Sequence, residues 1–354
     1  MSQKRILLGS CGALLLAFTF CSCQAQTLSP CRPSPAMSAN PKPSVGGLAL
    51  SRDGKTLVVA GGDAKIRLLD LATGEVQKIL TGHTNMIYRA VFSGDEKLLA
   101  SSSRDLTARI WDVASGREIY KLGGFRCSVK AVGFNPDAKI VAASGNDGML
   151  KLWDVRTGTE LKSLVHKNSA DIDMSTYSFV FSRDGRKIYA GNGDGTISEW
   201  EVESGKETKV WQAHLSYAFK LVFSPDYSLL ASLTDSVVKL WDTSNWNEVR
   251  ALSMPNTADA ISRVSAIAFS DDGNLIAASH IGLNQKQDAY VYVRTIVWEA
   301  KTGRQLFTLE GHKFDVDGLL FTRDNRYLLT GSVDQTIKFW DMKTGQLVRT
   351  MTLK

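Results

Sequence analysis

Residues able to do chemistry are sparse in this chain of 354 residues, which holds five histidines: His83, His166, His214, His280 and His312. A catalytic or structural zinc needs three or four nitrogen, sulfur or oxygen ligands at one point. His166 and His280 each stand alone beside the two insertions, and one grouping of oxygen donors to note is Asp288 with Asn284 and Gln285. Gly191-Asn192-Gly193-Asp194-Gly195 has the glycine content of a phosphate-cradling loop. Such a loop works by opening a helix whose N-terminal N–H groups face the phosphate, and here strand-like sequence follows instead. No catalytic residue, cofactor site or metal site is therefore expected.

The elements that would position these residues are set by a repeat. A pair, aromatic or apolar then acidic, recurs as Leu69-Asp70, Trp111-Asp112, Trp153-Asp154, Trp200-Glu201, Trp241-Asp242, Trp298-Glu299 and Trp340-Asp341. The acidic members are separated by 42, 42, 47, 41, 57 and 42 residues, so the unit is 42 and two units carry insertions. Within the second unit, Met86 to Phe92, Leu98 to Ser102, Thr107 to Trp111 and Glu118 to Leu122 read as four short strands divided by turns. Arg52-Asp53-Gly54, Arg183-Asp184-Gly185 and Asp271-Asp272-Gly273 supply turns after first strands, and Thr73-Gly74, Thr157-Gly158, Thr302-Gly303 and Thr344-Gly345 supply them before fourth strands. A four-stranded unit of this length is the period of a propeller blade.

From Val45 to Lys354 these residues closely resemble the WD-repeat family. The resemblance implies an all-β, seven-bladed β-propeller of four-stranded antiparallel blades. Family blades carry a Gly-His pair before the first strand and an Asp in the turn six residues before the Trp. Gly82-His83, Ala213-His214 and Gly311-His312 occupy the first position, and Asp63, Asp105, Asp147, Asp194, Asp235 and Asp334 the second. The resemblance implies a hydrogen-bonded chain of His, Ser/Thr, Asp and Trp, complete here as His83-Ser101-Asp105-Trp111 and His312-Thr330-Asp334-Trp340. Blade three has Phe125 and Ala143 at the His and Ser/Thr positions, blade five has Ala231 beside His214, and blade six lacks both His and turn Asp. The first unit begins with a first strand and the seventh ends with a fourth. Each blade is thus expected to be contiguous, with blades one and seven joined by face packing alone.

In this family partners dock on the face around the central channel, through residues at the start of first strands and before the turn Asp. Carried over, those positions give Met86, Tyr88, Arg104, Tyr177, Tyr217 and Phe219 as protein-binding candidates, with Lys130, Asn146, Asp315 and Asp317 beside them. Aromatic and Arg side chains dominate interface energetics. The insertions, Lys167 to Ser175 before the first strand of blade four and Ile281 to Val291 in blade six, fall as loops on or near the same face. The expected function is a non-enzymatic scaffold for a protein or peptide, acting as a monomeric propeller. The alternative is a propeller enzyme or a small-ligand or metal binder using the channel. That would need converging carboxylates or imidazoles, whereas Val45 to Leu50, Ile87 to Phe92 and Val129 to Phe134 supply mostly apolar and small residues.

Residues 1–25 read as an export signal: Lys4 and Arg5, an apolar run from Ile6 to Phe20, then Ser22-Cys23-Gln24-Ala25. Phe20-Cys21-Ser22-Cys23 resembles a bacterial lipoprotein signal, which makes Cys23 the candidate lipid attachment. Phe20 replaces the usual aliphatic residue, so ordinary cleavage after Ala25 stays open. The protein is expected to be periplasmic or lipid-anchored to a membrane, otherwise secreted. Residues 26–44, rich in Pro and Ser, read as a linker. Cys31 and Cys127, the cysteines outside the signal, either pair or remain thiols in an oxidising compartment. The net charge of +6 falls to +4 without Lys4 and Arg5, and no dense basic cluster is present, which argues against a nucleic-acid partner.

Overall fold

The computed structural model describes residues 42–166, 175–254, 261–287 and 289–353. Cys23 and Cys31, the signal, nearly all of the linker, most of the blade-four insertion and Asp288 lie outside them. The described residues form 28 strands in seven four-stranded antiparallel sheets, each made from consecutive strands, so the expected seven-bladed propeller is what the chain adopts. The innermost strands are β1 (Val45–Leu50), β5 (Ile87–Phe92), β9 (Val129–Phe134), β13 (Thr176–Phe181), β17 (Lys220–Phe223), β21 (Ile261–Phe269) and β25 (Val316–Phe321).

Local chemistry explains the four-stranded unit. After the innermost strand, a Ser or Thr hydroxyl donates to an Asp two residues on, which also accepts a backbone N–H: Ser51 Oγ to Asp53 at 2.6 Å and Lys55 N to Asp53 at 3.0 Å. The same turn recurs at Ser93-Asp95, Ser224-Asp226, Ser270-Asp272 and Thr322-Asp324. The acidic member of the Trp-Asp pair does the same work before the outer strand. Asp112 accepts Ser115 N at 2.7 Å, and Asp154 accepts Thr157 N at 2.8 Å. Gly116 and Gly158 follow at φ 73° and 69°, a left-handed conformation that glycine adopts without strain.

The core is seven clusters, each shared by two adjacent blades. Every repeat Trp packs against the blade before it: Trp111 on Val58, Ile66 and Leu80, and Trp340 on Ala277, Val297 and Leu309. Leu69 stands in that place in blade one and packs with Leu329, Ile337, Phe339 and Met351 of blade seven.

Blades are contiguous, as expected, but the seam between blades one and seven is not held by face packing alone. Arg323 donates to the carbonyls of Leu50 and Ser51, and Arg349 to those of Leu71 and Ala72 at 3.0 and 2.8 Å. Lys78 to Val113, Tyr120 to Arg156 and Arg250 to Lys301 repeat the second contact between other blades. Blade six also differs from expectation. Its insertion is not simply a loop, because β21, β22 (Leu275–Leu283) and β23 (Tyr290–Glu299) lengthen to 9, 9 and 10 residues and carry the sheet outward on the channel face.

Candidate functional site at the channel mouth

The histidines that attract notice in the sequence are absorbed by the fold. In blade two, His83 Nδ1 lies 2.8 Å from Asp105 Oδ2 and Nε2 lies 2.7 Å from Ser101 Oγ, which accepts the Trp111 indole N–H at 2.8 Å. Burial lowers the His83 pKa against the pull of Asp105, so the ring is neutral, donating through Nδ1 and accepting through Nε2. Burial raises the Asp105 pKa, but hydrogen bonds from His83, Thr107 and the Thr84 N–H outweigh it and hold the carboxylate ionised. Blade seven repeats the chain through His312, Asp334, Thr330 and Trp340 at 2.9, 2.7 and 2.9 Å.

Three expectations about the other blades are corrected. In blade five the hydroxyl is Ser232, not position 231: it lies 2.7 Å from His214 Nε2 and accepts Trp241 Nε1 at 2.8 Å. Asp235 does not meet His214 but accepts the Tyr217 hydroxyl. His166 does not stand alone. It is the blade-four support, 3.3 Å from Asp194 and 2.5 Å from Glu207, and those two carboxylates raise its pKa to about 9. His280 is buried, with Tyr292 Oη 3.3 Å from its Nε2, and burial with nearby Arg294 lowers its pKa to about 4. Among the described residues no group of three His, Cys, Asp or Glu side chains is placed to hold a metal. Cys127 is buried and disulfide-bonded, while Cys31 lies outside the described residues.

What the fold presents is the channel mouth. Pairing of the innermost strand with its neighbour slips by one residue near its start, between Ile87 and Arg89, Thr176 and Ser178, Val316 and Gly318, and Val45 and Gly47, and midway along the longer β21, between Val264 and Ala266. A β-bulge leaves one residue unpaired and re-aims its side chain. The residues so released, Tyr88, Tyr177, Asp317, Gly46 and Ser265, all line one cavity of about 340 Å3. Lys130 comes from the corresponding slip in blade three, and Met86, Phe219, Lys220, Arg89 and Arg263 complete most of the wall.

Four of the six binding candidates, Met86, Tyr88, Tyr177 and Phe219, therefore meet in this cavity. Tyr217 joins them indirectly: its ring is 5.8 Å from Tyr177 and 6.2 Å from Phe219, and Tyr177 and Phe219 are 5.4 Å apart. Arg104 is not part of the wall. It is half-buried beside it, with its N–H bonded to the Met86 carbonyl at 2.9 Å. Leu215, two residues before Tyr217, is fully exposed, and Phe314, Tyr290 and Leu106 are also exposed. Tyr290 of the lengthened blade six stacks on Phe314 at 5.6 Å and donates to Asp315 at 2.5 Å.

The channel is more charged than the apolar reading of its strands implied. Arg89 and Lys220 occupy its waist with Asp317. Burial lowers the Lys220 pKa, and the charge of Arg89 lowers it further against the opposing pull of Asp317. Burial raises the Asp317 pKa, as does Asp315, while Lys220, Arg263 and Lys130 draw it back. A charged residue inside an otherwise apolar innermost strand, as in IYRAVF and KLVF, is the sequence signal that marks these positions.

Comparison with known proteins gives four matches to the WD domain, G-beta repeat, at residues 74–112, 116–154, 205–242 and 303–341. Each match begins in the turn before one blade's outer strand and ends at the acidic residue that closes the next blade's third strand. The chain is 29% identical over 133 residues to Protein FIZZY-RELATED 3 of Arabidopsis thaliana, covering 36% of this chain and 25% of that protein. It is 30% identical over 144 residues to Protein tipD of Dictyostelium discoideum, covering 40% and 21%. It is 28% identical over 130 residues to Periodic tryptophan protein 2 of Arabidopsis thaliana, covering 36% and 13%. The chain thus spans a quarter or less of the length of these relatives. It is a seven-bladed propeller carrying WD repeats.

Proposed function

We propose that this propeller holds a protein or peptide partner on the face around the channel mouth, as a scaffold rather than a catalyst. The observation that carries the reading is the convergence of Met86, Tyr88, Tyr177 and Phe219 on one cavity, with Tyr217 stacked behind them. Exposed Phe314 adjoins Asp315 of that wall, and exposed Leu215 and Leu106 lie two residues from Tyr217 and Arg104, whereas other exposed apolar residues such as Val76, Ile119 and Val249 sit on the outer strands. Adjacent apolar and aromatic residues round a concave centre are the anatomy of an interface core, and scattered single ones are not.

The scaffold acts in an extracytoplasmic compartment, exported by residues 1–25 and held at a membrane by a lipid on Cys23. The order of charge, apolar run and Ser22-Cys23 supports this. Each acyl chain contributes about 0.8 kcal/mol per buried methylene to anchoring.

The test is a crosslinking pull-down from the exported compartment with the mature protein and with a variant carrying Tyr88, Tyr217 and Phe219 changed to Ala. The reading expects a partner that the variant fails to capture, and equal capture sinks it. Mass analysis of the mature amino terminus decides between an acylated Cys23 and cleavage after Ala25.

A further inference from the structure

Part of the charge in the channel is not consumed by the fold. Arg89 borders three connected spaces: the mouth of about 340 Å3, a chamber of about 210 Å3 beneath it, and a lower cavity of about 410 Å3. Among the described residues its guanidinium makes no ion pair and no hydrogen bond; burial lowers its pKa, but a guanidinium starts so high that it keeps its proton. Lys220 uses one donor, to the Ser265 carbonyl at 2.9 Å, and has no carboxylate within ion-pair distance among the described residues. Four cations, Arg89, Lys130, Lys220 and Arg263, face two carboxylates, Asp315 and Asp317, around the mouth. Lys130 lies over the Tyr88 ring at 3.9 Å, and Asp315 accepts from Tyr290.

Arg89 is half-buried in the channel wall, a permanently charged group with reduced access to water and no partner, and the planar fork of a guanidinium matches a carboxylate through two parallel hydrogen bonds. We propose that the channel is a carboxylate pocket: an acidic side chain of a bound peptide passes Tyr177 and Phe219 and is held by Arg89 and Lys220. This rests on the partner-docking reading above and deepens it by naming the chemistry of the segment bound. The aromatic wall takes apolar residues flanking the acidic one, and exposed Phe314, next to Asp315, continues that surface. A peptide fits these features together, whereas a free small anion uses only the waist.

Two labelled, terminally blocked peptides, Gly-Phe-Glu-Phe-Gly and its Glu-to-Gln counterpart, are titrated by fluorescence anisotropy, with glutarate and inorganic phosphate as competitors. The Glu peptide is expected to bind about tenfold or more tightly than the Gln peptide, a difference of about 1.4 kcal/mol. Arg89→Met and, separately, Lys220→Met are expected to erase most of that preference in protein whose circular dichroism is unchanged. Equal binding of the two peptides, or binding by neither, overturns the proposal. So does a preference that survives in the folded variants. Glutarate or phosphate binding as tightly as the Glu peptide shows a small-anion site and overturns the peptide assignment. Failure here is separable from failure of the docking reading. A partner captured equally by Arg89→Met but lost on Tyr88, Tyr217 and Phe219 substitution leaves docking intact and removes the carboxylate pocket.

Discussion

The ammonium of Lys130 lies 3.9 Å from the centroid of the Tyr88 ring, joining blades two and three at the lip of the channel. Both side chains are there because the innermost strands bulge at their second residue. The contact is partly shielded by the mouth, so a double-mutant cycle with Tyr88→Leu and Lys130→Met is expected to give a coupling of about 0.5–1 kcal/mol in urea unfolding. A coupling near zero means the pair is free in solution and the lip is not preformed.

The ring closes with the same bonds that join its other blades. Arg349→Ala removes two hydrogen bonds to the Leu71 and Ala72 carbonyls, and Arg250→Ala removes the equivalent bond to Lys301. Each is expected to lower unfolding free energy by about 1–2 kcal/mol. A far larger loss for Arg349→Ala, with a change of denaturant slope, marks blades one and seven as a weak seam instead.

The Trp supports differ between blades in a way mutation can read. Ser232→Ala strands the Trp241 indole and His214, and is expected to cost about 1–3 kcal/mol, as is Ser101→Ala in blade two. Ala231→Gly touches neither group, so its cost is confined to lost packing and backbone freedom, about 1 kcal/mol. Equal costs at 231 and 232 in thermal unfolding contradict the assignment of Ser232.

The histidines set opposite pH slopes. His166, raised to about 9 by Asp194 and Glu207, binds its proton more tightly when folded, so its stabilisation is complete below pH 6.5 and is lost as pH rises towards 9. His214 and His280 are lowered to about 4 by burial, with Lys239 and Arg294 contributing, so the unfolded chain takes up their protons first. Their effect is loss of stability as pH falls from 6.5 towards 4. Melting curves of His166→Gln and His280→Phe across pH 4–10 are expected to flatten the alkaline and acid limbs respectively. Unchanged limbs contradict these environments.

The blades were legible in the sequence because their signals are local. The Asp that caps each turn and the Trp-Asp pair before the outer strand act within a few residues, so spacing alone reveals them. Ser232 was hidden because the second turn of blade five is one residue shorter than in blade two, and counting ten back from Trp241 lands on Ala231. His166 was hidden because residues 167–174 separate it from the strand it supports. Arg89 was missed for a different reason. Which side chains of an innermost strand face the channel depends on bulges in its pairing, and these are properties of the assembled sheet.

The most direct test of the docking account is site-specific photocrosslinking in the cell that makes the protein. A photoreactive amino acid is placed at exposed Leu215, Phe314 or Leu106, close in sequence to Tyr217, Asp315 and Arg104, and, as controls, at Val249 or Ile119 on outer strands. The account predicts one shared partner crosslinked from all three of the former positions, absent from both outer positions, and lost when Tyr177 and Phe219 are changed to Ala. Capture of the same partner from Val249 or Ile119, or capture undiminished by the Tyr177 and Phe219 changes, contradicts it.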